Sequence, residues 1–227
     1  MLHTVTIRDG RSNVLTTSER LQTRAEEIAN AVSHGIGFLA AVVAVPILIW
    51  AVVQRSDVAG LVGVCVFGAA TLLLYLTSTL YHALPHSRAK RVLRVFDHMA
   101  IFLMIAGSYT PFTLGVLRGG WGWALFGTIW SLALAGIILK LLFGARYPIV
   151  SNAVYLGMGW LVVVAIKPLW SVLPGWGFFW LAAGGIAYTV GVFFYARDQV
   201  PFGHFVWHLF VLAGSACHFV AIYLYAV

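Results

Sequence analysis

The chain has 227 residues, of which 61% are hydrophobic and 9% charged, with a mean hydropathy of +0.92 and a formal net charge of +7. A soluble domain carries about a quarter of its residues as Asp, Glu, Lys and Arg, so this composition excludes a soluble globular protein and marks an integral membrane protein. The surplus of positive charge sets topology in such a chain rather than recruiting nucleic acid, and Cys65 and Cys217, each inside an apolar run, give neither a disulfide framework nor a thiolate metal cluster.

In chain order, residues 1–15 read as a flexible polar tail and residues 16–227 as one membrane domain. Thr16-Thr17-Ser18-Glu19 fits a capping box at a helix start. Leu21, Ala25, Ile28, Ala29 and Val32 follow at helical spacing, with Arg20, Arg24, Glu26 and Glu27 mostly on other faces. The pattern predicts a short amphipathic helix over 17–31, lying on the membrane surface ahead of the first span. The polar segment is too long, and the apolar run after it too extended, for a cleavable signal peptide.

Seven spans are predicted over 32–53, 58–84, 96–117, 121–143, 149–170, 176–196 and 203–226. Each is long enough to cross a hydrocarbon core of ~30 Å. None has the ~10-residue alternation of an outer-membrane barrel strand. The connections are short, and there is no internal repeat or second domain. The expected fold is therefore all-α, a seven-transmembrane-helix bundle, with Pro46 and Pro111 kinking their helices.

Lysine and arginine set the expected orientation. Arg8, Arg11, Arg20 and Arg24 precede the first span, and Arg88, Lys90, Arg91 and Arg94 fill the second connection. Lys140 and Arg146 flank the fourth connection, and Arg197 lies in the sixth. The other side holds only Arg55, Arg118 and Lys167. The positive-inside rule places the N-terminus in the cytoplasm and the C-terminus outside. Trp50, Trp121, Trp123, Trp170 and Trp176 fall at the predicted outer interface, as half of an aromatic belt does.

With that topology, polar residues far apart in sequence share one depth. His204 and His208, four apart, stand one turn above each other at the start of the last helix. Ser78 and His82 end the second helix, Asp97 opens the third, and Glu27, Asn30 and His34 precede or open the first. Polar side chains are costly in a membrane and mark function. Three imidazoles leave one position of a tetrahedral zinc open, as catalytic zinc sites do; neutral histidine also suits copper, iron or nickel. A carboxylate nearby could act as general base or orient a ligand histidine. Each piece also has a plainer reading: a histidine pair bonding across to neighbouring helices, Ser78 bonding back to its own helix, and Asp97 capping a helix start. His98 lies ~100° from Asp97 around the helix and His86 sits in a basic loop, so neither is counted in the site; His218 stands ~15 Å deeper than His208, too far for the same ion.

Glu27-x-x-Asn30-x-x-x-His34, Ser78-x-x-x-His82, Asp97, and His204-x-x-x-His208 with His218-Phe219 together resemble the progestin and adipoQ receptor (PAQR) family over nearly the whole membrane part. The short tail and Ser-His-Gly-Ile-Gly at 33–37 look like its bacterial hemolysin III branch. The resemblance implies seven N-in helices around a zinc (Zn2+) near the cytoplasmic side. His82, His204 and His208 would be the ligands, with Asp97 and Ser78 beside the open coordination position. Relatives in the wider superfamily include alkaline ceramidases, which implies membrane lipids as partners and a lipid amide or ester as substrate. In that reading Asp97 takes a proton and Ser78 helps place the substrate oxygen. The alternatives are a non-enzymatic membrane-homeostasis or sensor protein, whose zinc clasps the second and seventh helices, and a cytolytic pore. The pore has little support in the sequence, since no charged stripe runs along any helix to line a water-filled path.

Overall fold

The computed structural model describes residues 20–55, 57–197 and 199–226. The tail at 1–15 and the capping box expected at Thr16–Glu19 lie outside them. The described helices are α1 (Arg24–Val53), α2 (Val58–Ala83), α3 (Arg88–Thr110), α4 (Gly120–Phe143), α5 (Pro148–Gly159), α6 (Ile166–Trp170), α7 (Gly175–Tyr195) and α8 (Gly203–Tyr225). They make seven spans, each long and apolar enough to cross a membrane, because α3 runs on through a π-helical turn at Pro111–Val116 and the fifth span joins α5, a 3-10 stretch at Leu161–Ala165 and α6. The chain is a multi-pass membrane protein.

The first span differs most from expectation. Instead of a separate surface helix, the chain from Arg24 runs into the span as one 30-residue helix. Thr23 caps it: Thr23 Oγ1 accepts from Glu26 N, and the Glu26 carboxylate accepts from Thr23 N at 2.8 Å. The faces are also reversed relative to a surface helix. Ile28 and Val32 point outward, while Glu26, Asn30, Ser33 and His34 are buried against the bundle. The amphipathic pattern was real, but its polar face looks inward. Glu26 also pairs with Arg20 and accepts the Phe202 N–H at 2.8 Å, which ties the start of α1 to the start of α8.

The third span also begins early. Ser87 Oγ accepts from Lys90 N, so α3 starts at Arg88 rather than 96. Asp97 therefore stands in the third turn and is no cap, which removes its plainer reading. Pro111 opens the π-helical turn, whereas the helix runs through Pro46 unbroken.

The fifth span was expected as one helix over 149–170 and is broken instead. Pro168 has no N–H to give residue 164 and its ring crowds that carbonyl, and the glycines at 157 and 159 weaken the helix before it. Tyr109 repairs the backbone at the break. Its hydroxyl donates to the carbonyls of Met158 and Gly159 and accepts from Val162 N at 2.9 Å.

α1 packs on α2 and α8, α2 on α3, α3 on α4, and α7 on α8. Large apolar side chains such as Leu39, Val43 and Leu142 cover the outside, facing lipid. The five tryptophans named above are exposed, at one end of the bundle. With lipid outside, close packing rather than burial from water holds such helices together. Gly136 of α4 shows how close the approach is: a Cβ there would stand 2.2 Å from Cε1 of the fully buried Phe102. Gly136→Ala is expected to cost about 1–3 kcal/mol as overpacking, read as a lower midpoint in detergent thermal unfolding; an unchanged midpoint would show that the α3–α4 contact can yield.

Candidate metal centre

Four helices converge at the end of the bundle where α1 begins. α8 supplies His204 and His208, one turn apart, and α2 brings Ser78 and His82, also one turn apart. α3 contributes Asp97 and His98, and α1 contributes Glu27, Asn30, Ser33 and His34. The rings of His82, His204 and His208 form a triangle with centroids 5.0, 5.0 and 4.7 Å apart. One ligand atom from each lies within 4.8 Å of the others. Two nitrogens on a shared tetrahedral zinc would be about 3.4 Å apart at Zn–N lengths of ~2.1 Å, so a pair at the 4.8 Å limit closes by drawing in about 1.4 Å.

The hydrogen bonds behind the rings fix how they face. His82 Nδ1 donates to Glu27 Oε2 at 2.8 Å, and Lys90 Nζ holds the other oxygen, Glu27 Oε1, at 2.9 Å. In the neutral ring that makes His82 Nε2 the lone-pair nitrogen, and it is buried without a partner. His208 Nδ1 lies 3.2 Å from the Asn30 carbonyl, which can only accept, and 3.1 Å from Ser33 Oγ. His208 Nε2 is thus the lone-pair nitrogen as well. Carboxylate and carbonyl partners of this kind are what orient histidines at metal sites. A buried, unpaired lone-pair nitrogen is costly unless something binds it. The donor set and its orientation therefore fit a transition metal.

If the three histidines hold a metal, Glu27→Gln is expected to weaken its binding about 10–100-fold, since the amide no longer fixes the His82 tautomer or raises its basicity. Competition against a chromophoric chelator measures this, and unchanged affinity would leave Glu27 a purely structural partner of Lys90.

Asp97 and Ser78 are both buried at the same end. Ser78 Oγ is buried without a hydrogen-bond partner. Both line a cavity of about 210 Å³ together with His34, His204 and His208. Its walls follow α3 and the π-helical turn from Asp97 to Leu117, a rise of ~30 Å at 1.5 Å per residue. They are mostly apolar, among them Ile101, Met104, Phe112, Leu125 and Val163. Asn30 is fully buried, its amide donating to Gln22 Oε1 at 2.6 Å. His34 stacks on His208 with ring centroids 3.6 Å apart, and neither of its nitrogens has a partner. It lines the cavity but stands outside the three-histidine group.

Sequence reasoning passed over four residues here. Ser33 and Lys90 buttress the site, although Ser33 could have been found three residues after Asn30, on the same helix face. His98, excluded on its helical angle, also lines the cavity, and its Nε2 lies 3.4 Å from Tyr195 Oη. The two side chains share one lining because the cavity spreads to both sides of α3. His218 lines it too, farther along α8.

The sequence profile described as Haemolysin-III related matches residues 22–219. The chain is 47% identical to the "Hemolysin-3 homolog" of Bacillus subtilis (strain 168) over 205 residues, covering 90% of this chain and 96% of the relative. It is also 47% identical to "Hemolysin-3" of Bacillus cereus over 200 residues, covering 88% and 91%. With the human "Monocyte to macrophage differentiation factor" it shares 31% identity over 170 residues, covering 70% and 68%.

Proposed function

The chain belongs to the haemolysin-III related family, and from that premise we propose that it is a zinc-dependent membrane hydrolase of lipid amides. His82, His204 and His208 hold the metal, Asp97 moves the proton, and Ser78 positions the substrate. The observation that carries the reading is a juxtaposition: two of the three converging imidazoles, His204 and His208, share the polar end of a mostly apolar cavity with an acid and an unpartnered hydroxyl, and the third, His82, closes the group beside it.

Zinc held by these residues would polarise a carbonyl and make water nucleophilic near neutral pH. Asp97 accepts the proton that water loses as its oxygen joins the acyl carbon, and returns it to the amine nitrogen as the C–N bond breaks. Ser78 Oγ donates a hydrogen bond to the substrate carbonyl and fixes its angle. The cavity takes the acyl chain and excludes bulk water. Trp160, Val163 and Ile166 line it and are also exposed on the lipid-facing surface, so that side of the bundle is where a lipid would enter. With the N-terminus on the cytoplasmic side, as the lysine and arginine distribution predicts, the centre serves the inner leaflet.

A purely structural clasp between α2 and α8 would account for the histidines but give Asp97 and Ser78 no task. The names of the two Bacillus relatives suggest lysis, but an apolar lining suits a lipid better than a hydrated path. Purified protein incubated with a panel of ceramide-type amides is expected to release fatty acid, and to stop when zinc is chelated. No release from any member of the panel would overturn the reading.

A further inference from the structure

Midway down the cavity is a polar residue that the hydrolytic reading does not use. His218 stands ten residues beyond His208 on α8, ~15 Å away along the helix axis, and it lines the same cavity. Its Nδ1 is buried with no hydrogen-bond partner. The opposite edge of its ring is seated on α7: a Cβ on Gly184 would stand 2.4 Å from His218 Cδ2 and 2.6 Å from Nε2, so the missing side chain makes room for the imidazole. Tyr188 holds the ring edge-on at 5.4 Å between centroids, while its own hydroxyl is engaged by Ser215 Oγ at 3.0 Å. Other polar side chains along this stretch are satisfied locally. Ser108 Oγ donates to the Ile105 carbonyl and Thr113 Oγ1 to the Tyr109 carbonyl.

An imidazole kept in the middle of a membrane bundle without a partner for one of its nitrogens costs free energy, and it is recovered when an occupant of the cavity supplies the partner. We propose that His218 is a specificity-determining residue that recognises a hydroxyl on the occupant's chain, far from the reacting carbonyl. The occupant would be a lipid whose acyl chain is hydroxylated part-way along its length. This rests on the reading of the cavity as an acyl-chain site. Depth selects the position of the hydroxyl: with the carbonyl at the three-histidine end, only a group well down the chain reaches His218.

The test uses the purified full-length protein and two fatty acids that differ only by one mid-chain hydroxyl, ricinoleic acid and oleic acid. Affinities are measured by displacement of a fluorescent fatty acid. One buried hydrogen bond corresponds to roughly three- to tenfold tighter binding of ricinoleic acid. His218→Phe should keep oleic acid binding and abolish the preference, and His218→Asn, which retains a donor and an acceptor, should keep part of it. A merely structural histidine would alter stability in these variants and leave the ratio of affinities alone. Equal affinities in the unsubstituted protein, or a preference that survives His218→Phe, would overturn the proposal while leaving the acyl-chain reading standing. Should neither acid bind, both fall. If His218→Phe does not fold, the comparison in the unsubstituted protein and His218→Asn still decides.

Discussion

Replacing His208 by alanine is expected to strip the protein of its metal. Purified unsubstituted protein should carry about one zinc per chain, and His208→Ala should lose more than about a hundredfold in affinity. That exceeds the 10–100-fold that follows from losing an outer hydrogen-bond partner, because a ligand is gone and two imidazoles cannot complete a tetrahedral site. Metal analysis by mass spectrometry after dialysis against a weak chelator measures the loss. His204→Ala should behave alike, whereas His34→Ala should retain zinc, since His34 stacks on His208 but stands outside the converging group. A His208→Ala protein with its full complement of zinc would dismantle the centre as described.

Asp97→Asn carries the second large effect. The amide has nearly the shape of the carboxylate but cannot take up a proton, so fatty-acid release should fall about 10²–10⁴-fold, the range for a lost general base. The zinc content should stay the same, because Asp97 is outside the three-histidine group. Release at the rate of the unsubstituted protein would remove Asp97 from the chemistry. A parallel loss of zinc would make it a ligand instead.

Much of this arrangement was legible in the sequence because a membrane simplifies the grammar. Apolar runs of helix length marked every span, and His204 and His208 at a four-residue interval could only share a helix face. Alternating crossings then put Ser78, His82 and Asp97 at the same end as that pair. What the sequence hid were the local overrides. The polar face of Arg20–Val32 reads equally well as turned toward water or toward protein, and only packing against α8 decides it. Pro168 warned of a break in the fifth span, but the break holds together through Tyr109, 59 positions earlier, a partner no local pattern reveals. His98 was set aside on an angular argument that is correct for a single ion and fails for a cavity wide enough to touch two faces of α3.

The bond from the Phe202 amide to Glu26 joins residues 176 positions apart. It can form only after the chain has reached the last crossing. Synthesis delivers Glu27, His82 and Asp97 to the bilayer long before the final crossing emerges, and until that crossing docks against the first there is one imidazole where three are needed. On the proposed reading, a nascent chain halted after its sixth crossing would be inserted yet unable to capture zinc, and metallation would be the last act of assembly.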